Sequence, residues 1–368
     1  MGKKLVQGWK SVLKADPVGW LLEFENPSVR YFTLRDILDY PDKDPEVMQA
    51  RAAIRSYEKI STIFRRQKPE GHWESAEHPY QPKYKSSYWQ IMILGQMGLD
   101  KGDHRVRKAC ENIFRFQLDD GGFSVFKGEG AKREYLSVKR RSLQRGAEPP
   151  PFETWAEQKI HEYEMSCLTG NVAAAMIRLG YASDERVRKA LKWLVEIQND
   201  DGGWLCPYWN AHIQDRHGCF MGTISPLDAF SELPAEYRTS EIEAAIESGV
   251  EFLLMHRLFR ADHHQFKVIK EAWLKLSFPW FFYDILRGLS VVTKLGYGKD
   301  RRIDDALEIL LQKQDSDGKW ILESAPSARM QTDLEQKGKP SKWITLNALR
   351  VMKRLYQNRS SGQRRDSG

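Results

Sequence analysis

Two stretches concentrate the side chains that could do chemistry: HEYEMSCLTGN over residues 161–171 and WLCPYWNAHIQDRHGCFMGT over residues 204–223. They contain Cys167, Cys206 and Cys219, with His217 two residues before the last of these. Thiolate sulfur and imidazole nitrogen are the donors a tetrahedral zinc ion prefers, so the four residues form a chemically suitable zinc set. Three protein ligands would leave one position open to water or a substrate thiol, and zinc there would stabilise a thiolate or hydroxide near neutral pH. Four protein ligands would close the site and make it a staple. Sulfur-rich ligation lowers the Lewis acidity of the ion, which suits thiol activation better than attack by water. His212 is a reserve ligand or a base beside the ion. His161 and Tyr163, just upstream of Cys167, could face the same place. The plainer alternative is that these cysteines are small buried apolar residues, as Cys110 is expected to be on its charged helical segment.

A second kind of chemistry would need only carboxylic acids. Asp228 and Asp284 fall in otherwise apolar helical stretches, where a carboxylate needs a partner or an altered pKa. Arg287 lies three residues beyond Asp284 and is positioned to pair with it. Protonated, Asp284 could act as a general acid beside aromatic walls that stabilise a cation. Tyr88, Trp89, Trp280, Tyr283 and Trp343 are the aromatic residues of the same stretches and the candidates to line an apolar cavity.

The elements that must position these groups are marked by a repeat. Gln67, Gln117, Gln198 and Gln314 each stand six residues before an aromatic, namely Trp73, Phe123, Trp204 and Trp320, with glycine between. Each glutamine ends a run of helical periodicity, so the repeat reads as helix, polar glycine turn, aromatic latch. Glycine supplies positive φ at the helix end, the glutamine amide satisfies stray backbone groups, and the aromatic covers the neighbouring hairpin. On that reading Asp119, Asp120, Asp200, Asp201, Asp315 and Asp317 are structural. Asp103, Asp184 and Asp300 precede aligned helices and are expected to cap them.

The helices alternate in character. Segments 29–38, 86–98, 167–180, 219–232, 279–295 and 341–356 form the inner set, less charged than their partners; QIMILGQMGL, TGNVAAAMIRLG and MGTISPLDAFSEL within them are nearly free of charge, and a helix apolar all round is expected to be buried on all sides. Between them lie charged-striped segments 46–67, 103–117, 184–198, 240–256 and 301–314, with 5–14 as a sixth element of the outer layer. Short connections favour antiparallel neighbours. Six hairpins with a buried inner layer can close into a ring; an open right-handed stack is the alternative. The sequence therefore predicts an all-α chain, one domain over 1–356, with insertions at 124–160 and 257–278 and a basic tail at 357–368. In this frame Cys167 and Cys219 begin adjacent inner helices and emerge at one rim.

The glutamine–aromatic repeat resembles that of squalene and other terpene cyclases and of protein prenyltransferase β-subunits, over nearly the whole chain from about residue 29 to 356. The resemblance implies an (α/α)6 toroid, a double ring of six inner and six outer helices, and a central cavity for an apolar or prenyl-type ligand. In prenyltransferase β-subunits zinc is held by a cysteine starting one inner helix and a histidine just before the next; Cys167 and His217 are similar to these. The family's aspartate two residues before the cysteine is Met165 here, so Cys206 or Cys219 would have to complete the set. Lanthionine-forming cyclases hold zinc on a similar ring with two cysteines and a histidine. No Asp-x-Asp-Asp proton-donor motif or Asp-Asp-x-x-Asp diphosphate motif occurs; the nearest text, DRRIDDALE at 300–308, has the wrong spacing. Prenyltransferases work with a separate α-subunit, and the sequence leaves a protein partner undecided. Three function classes stay open: a zinc-dependent enzyme at the rim acting on a thiol-containing or prenyl-type substrate, a metal-free cyclase or lyase, and a non-catalytic binding toroid.

The bulk properties narrow the partners. The net charge of +7 over 368 residues is modest, and much of the excess sits in residues 127–146 and 358–368. Such runs could contact phosphate or acidic lipid, but no nucleic-acid motif accompanies them, so they read as a solvated loop and a frayed end with peripheral membrane contact left open. Four cysteines do not make a disulfide scaffold. The N-terminal sequence has no long apolar core or small-residue cleavage site, and no transmembrane run is visible, so a cytoplasmic location is expected.

Overall fold

The computed structural model describes residues 8–205 and 217–360. It is mostly helical, as the periodicity predicts. The longer helices are α1 Pro27–Phe32, α2 Pro45–Ile54, α3 Glu58–Arg65, α4 Ser87–Gln96, α5 His104–Phe114, α6 Glu129–Gln144, α7 Phe152–Glu162, α8 Ser166–Met176, α9 Glu185–Glu196, α10 Phe220–Glu232, α11 Ser240–Met255, α12 Ile285–Lys294, α13 Asp304–Gln312 and α14 Lys342–Ser360. Two short antiparallel pairs join them: β1 Arg260–Ala261 with β2 Lys267–Val268, and β3 Trp320–Ile321 with β4 Pro340–Ser341. The chain divides into two compact units, Ile63–Ala245 and the segments on either side of it.

In the unit Ile63–Ala245, α8 is the central element, packed against α4, α9 and α10. Small residues make this closeness available. A Cβ on Gly170 would lie 2.4 Å from the backbone of Ser225 and Pro226, so α8 and α10 meet backbone to backbone. With neighbours on several sides, α4, α8 and α10 bury nearly every residue, which is why they carry almost no charge. The partnering helices α5 and α9 bury one stripe each, such as Val187, Ala190, Leu191 and Leu194 on α9. In the other unit α12 packs on α13 and α14, and α1 on α2 and α14.

The glutamine–aromatic repeat closes each turn in the same way. The Nε2 of Gln67, Gln117, Gln198 and Gln314 donates to the carbonyls of Gly71, Gly121, Gly202 and Gly318, at 3.1, 2.8, 2.7 and 3.1 Å. In three repeats the same amide also reaches the next helix of the outer layer, donating to Arg105, Arg186 and Ala245 carbonyls at 3.0, 2.8 and 2.9 Å. In the fourth, Gln314 Oε1 accepts from the amide of Lys14. The indoles of Trp73, Trp204 and Trp320 donate back to Ile63, Leu194 and Leu310 carbonyls. The aromatic residue's own amide donates to a hydroxyl on the inner helix: Ser87, Thr169, Thr223 and Thr345. Gly121 has φ +120°, and a Cβ there would sit 2.4 Å from the Lys189 carbonyl oxygen, so the turn tolerates only glycine. Asp103, Asp184 and Asp300 cap their helices as expected, each accepting the amide two residues on.

Several boundaries differ from the sequence reading. The expected helix 46–67 is two, because the amides of Arg55, Ser56 and Tyr57 turn to the carbonyls three residues back and the chain restarts at Glu58. The expected inner helix 279–295 starts only at Ile285, since Asp284 takes the cap position. Residues 5–14 hold a single turn, Trp9–Val12, among the residues described there. The insertion 124–160 is itself helical: α6 and α7 pair through Tyr135, which meets Phe152 and Trp155 at 5.3 Å. The insertion 257–278 carries the β1–β2 hairpin.

Trp204 is fully buried and ties its turn to α9 through one indole hydrogen bond. Trp204→Ala is expected to lower unfolding free energy by about 3–5 kcal/mol. Trp204→Phe, which keeps an aromatic ring and loses the N–H, should cost only about 1–3 kcal/mol. Urea unfolding of the two variants against the parent chain checks this ordering.

Candidate functional site

The start of α8 and the start of α10 are held to one stretch of chain. Ser166 donates its hydroxyl to the Leu205 carbonyl at 2.7 Å, and the Cys219 amide donates to the Trp204 carbonyl at 2.8 Å. A Cβ on Gly222 would lie 2.3 Å from that Trp204 oxygen, so α10 lies against the same stretch. Cys167 is the second residue of α8 and Cys219 is the N-cap of α10; both are half-buried thiols. Cys206 and His212 lie outside the described residues. His217 is partly exposed, and its Nδ1 lies 3.1 Å from Asp201 Oδ2, the same oxygen that accepts the Gly218 amide at 2.6 Å. With Nδ1–H donated to a carboxylate, Nε2 carries the imidazole lone pair.

The two acid candidates carry structural bonds. Asp228, buried on α10, accepts from the Arg178 guanidinium at 2.5 Å, and the same nitrogen reaches Glu232 at 3.1 Å. Asp284 accepts from the Arg287 amide at 2.8 Å and the Ser277 amide at 2.9 Å, and also takes the Ser277 hydroxyl. The Arg287 backbone amide makes the hydrogen bond, its guanidinium donates to the Phe282 carbonyl, and its positive charge favours the ionised Asp284. Burial pushes the Asp284 carboxyl up to about 6 against these stabilising bonds.

The aromatic candidates are all buried. Tyr88 donates to the Ser124 carbonyl at 2.8 Å and Trp89 to the Tyr80 carbonyl at 2.8 Å. Tyr283 donates to the Leu258 carbonyl. Trp343 stacks on Phe278 with centroids 4.4 Å apart. Trp280 is buried in the segment that precedes α12.

Among the described residues, the side chains that gather three ligand atoms within 4.8 Å of one another are Asp120, His161 and Glu164. Asp120 belongs to the glycine turn after α5, and His161 and Glu164 to the end of α7 and its link to α8. Glu164 is buried and pairs its backbone with Ser124. Its carboxyl fits because position 122 is glycine: a Cβ there would lie 1.8 Å from Glu164 Oε1. Burial, and then the neighbouring Asp120 carboxyl, push Glu164 up to about 8. Of these three residues the sequence points only to His161. Asp120 reads as a turn residue, and the signal for Glu164 is an acidic residue immediately before the apolar run MSCLTGNVAAAM.

No helix among the described residues is long and apolar enough to cross a membrane. No family model matches the chain, and no curated protein matches it. Solved structures similar to it include a protein from Actinoplanes, at 16% identity over 89% of this chain and 90% of that one, with TM-score 0.45. The type II terpene cyclase MstE from Scytonema is also similar. Its complex with the substrate geranylgeranyl dihydroxybenzoate gives 15% identity over 91% and 88% of the two chains, TM-score 0.47. Its complex with the product merosterolic acid A gives 15% over 91% and 87%, TM-score 0.46.

The Asp284 carboxyl makes a directional pH prediction. Its folded pKa lies above the ordinary value of 3.8, at about 6, so between these values the folded chain binds more protons than the unfolded one. Its contribution to stability is therefore fullest below pH 3.8 and is lost as pH rises toward 6. Asp284→Asn removes the charge and keeps an oxygen for the cap. The stability of this variant relative to the parent should climb across that interval and level off above it, as read by thermal unfolding at a series of pH values.

Proposed function

We propose that this chain is an enzyme of the terpenoid cyclase and prenyltransferase kind, an (α/α)6 toroid that holds a prenyl-type substrate against its inner helices and carries zinc at the rim. The ligands in this reading are Cys167 and His217, with Cys206 or Cys219 as the third, so that one position stays open to a substrate thiol. What supports it most is the joint anchoring of α8 and α10 to Trp204–Leu205, which sets the two helix starts side by side immediately before Cys206 in sequence. The donor set fits zinc chemically, and Asp201 gives His217 the carboxylate partner that zinc-binding imidazoles commonly have. Bound there, zinc would lower the pKa of a substrate thiol.

The chain's own contribution is positional. The Asp201–His217 bond orients the imidazole, and the Thr223 hydroxyl, bonded to the Trp204 amide at 3.0 Å, fixes the turn from which the site is approached. Tyr88 and Trp89 in one unit, and Trp280, Tyr283 and Trp343 in the other, are the apolar aromatic candidates in this reading. A metal-free mechanism through Asp228 or Asp284 has less in its favour, because both carboxylates already accept bonds that hold their helices.

Elemental analysis of full-length protein purified without added metal tests the reading. Zinc close to one per chain is expected, with Cys167→Ala and His217→Ala each losing most of it and losing binding or turnover of a thiol-plus-prenyl substrate pair. Zinc-free protein that still turns over a prenyl substrate would overturn the metal part of the proposal. Zinc retained in both variants would remove the rim ligands.

A further inference from the structure

The repeat frame exposes one turn that differs from its counterpart. In the repeat that ends at Trp204, Asp201 is satisfied by two amides and an imidazole: Gly203 N at 2.9 Å on Oδ1, and Gly218 N at 2.6 Å and His217 Nδ1 at 3.1 Å on Oδ2. In the repeat that ends at Phe123, the corresponding Asp120 meets an imidazole and a second carboxyl, those of His161 and Glu164. Two acids side by side repel unless a proton or a cation lies between them. Glu164 cannot relieve this by turning to water, because its side chain is only 5% exposed. Its Oε1 is buried and has no hydrogen-bond partner, which is costly for a carboxyl oxygen.

We propose that Asp120, His161 and Glu164 form a site for a divalent first-row cation. The donor set of two carboxylates and one imidazole suits Mn²⁺, a hard ion that takes oxygen ligands, and differs in kind from a thiolate set. His161 Nδ1 and Glu164 Oε2 lie 3.3 Å apart, the separation of neighbouring ligands on one ion with bonds of about 2.1 Å. Glu164 forms the fixed floor: the Ser124 backbone bridge and the bare Cα of Gly122 hold its carboxyl in place. Asp120 and His161 are exposed and close over the ion from the solvent side, leaving its outward positions to water or an oxyanion. Asp120 is already oriented by the Gly122 amide, which donates to Oδ1 at 3.3 Å.

The site uses none of the four thiol and imidazole residues of the rim, so it stands or falls separately. The test is titration of the metal-stripped full chain with Mn²⁺, following free Mn²⁺ by electron paramagnetic resonance. The parent chain should bind Mn²⁺ stoichiometrically. Glu164→Gln and Asp120→Asn should each weaken binding at least about tenfold, and Cys167→Ser should leave it unchanged. Asp120 is exposed, so Asp120→Asn keeps the test valid if Glu164→Gln disturbs folding. A parent chain that binds no Mn²⁺ overturns the proposal, showing that the carboxyl pair holds a proton instead. Unchanged affinity in Asp120→Asn, or loss of binding in Cys167→Ser alone, overturns it as well.

Discussion

The glutamine amide at each glycine turn is the interaction on which the remaining structure depends. A helix end leaves carbonyls without partners, and a hairpin array must bury many such ends. One Gln side chain meets that need twice. It donates to the carbonyl of its own turn and, in three repeats, to a carbonyl of the next outer-layer helix. The aromatic that follows fills the space beneath, and its amide reaches a Ser or Thr hydroxyl on the inner helix. Turn, outer helix and inner helix are thus fixed by one short segment. Arginines reinforce the joint: Arg186 lies over the Phe114 ring at 3.7 Å while pairing with Glu111 and Asp184. Such exposed pairs contribute modestly on their own.

The same joints bring chemically capable side chains to the starts of the inner helices. Whatever sits just before α8 or α10 is held against a glycine turn that carries an aspartate. At α10 that neighbour is His217, and the pair is a settled imidazole–carboxylate contact. At α8 the neighbours are His161 and Glu164, and the result is two carboxyls and an imidazole in one place. The same kind of glycine turn thereby sits in two different electrostatic environments.

The repeat and the helix alternation were legible because they are periodic and local. Glutamine spacing, Asp caps and charge-free stretches each report a nearby backbone requirement. The breaks at residues 55–57 and before Ile285 were not, because they depend on which carbonyl an amide chooses and on Asp284 bonding Ser277. The partners of buried acids were legible only in part. Arg287 stands beside Asp284 in sequence, whereas Arg178 reaches Asp228 from another helix. Asp120 was hidden by its turn: the same LDDGG text that explains it structurally says nothing of Glu164, brought to it by folding. The repeat register alone relates Cys167 to Cys219, and the anchoring of Ser166 and Cys219 to Trp204–Leu205 gives that register a physical basis.

In the proposed reading, zinc is held through sulfur at the starts of α8 and α10. Zinc K-edge X-ray absorption on the zinc-loaded full chain reads this directly. The claim predicts a shell of sulfur scatterers at about 2.3 Å together with imidazole nitrogen at about 2.0–2.1 Å. A first shell of nitrogen and oxygen alone, with no sulfur, would contradict it.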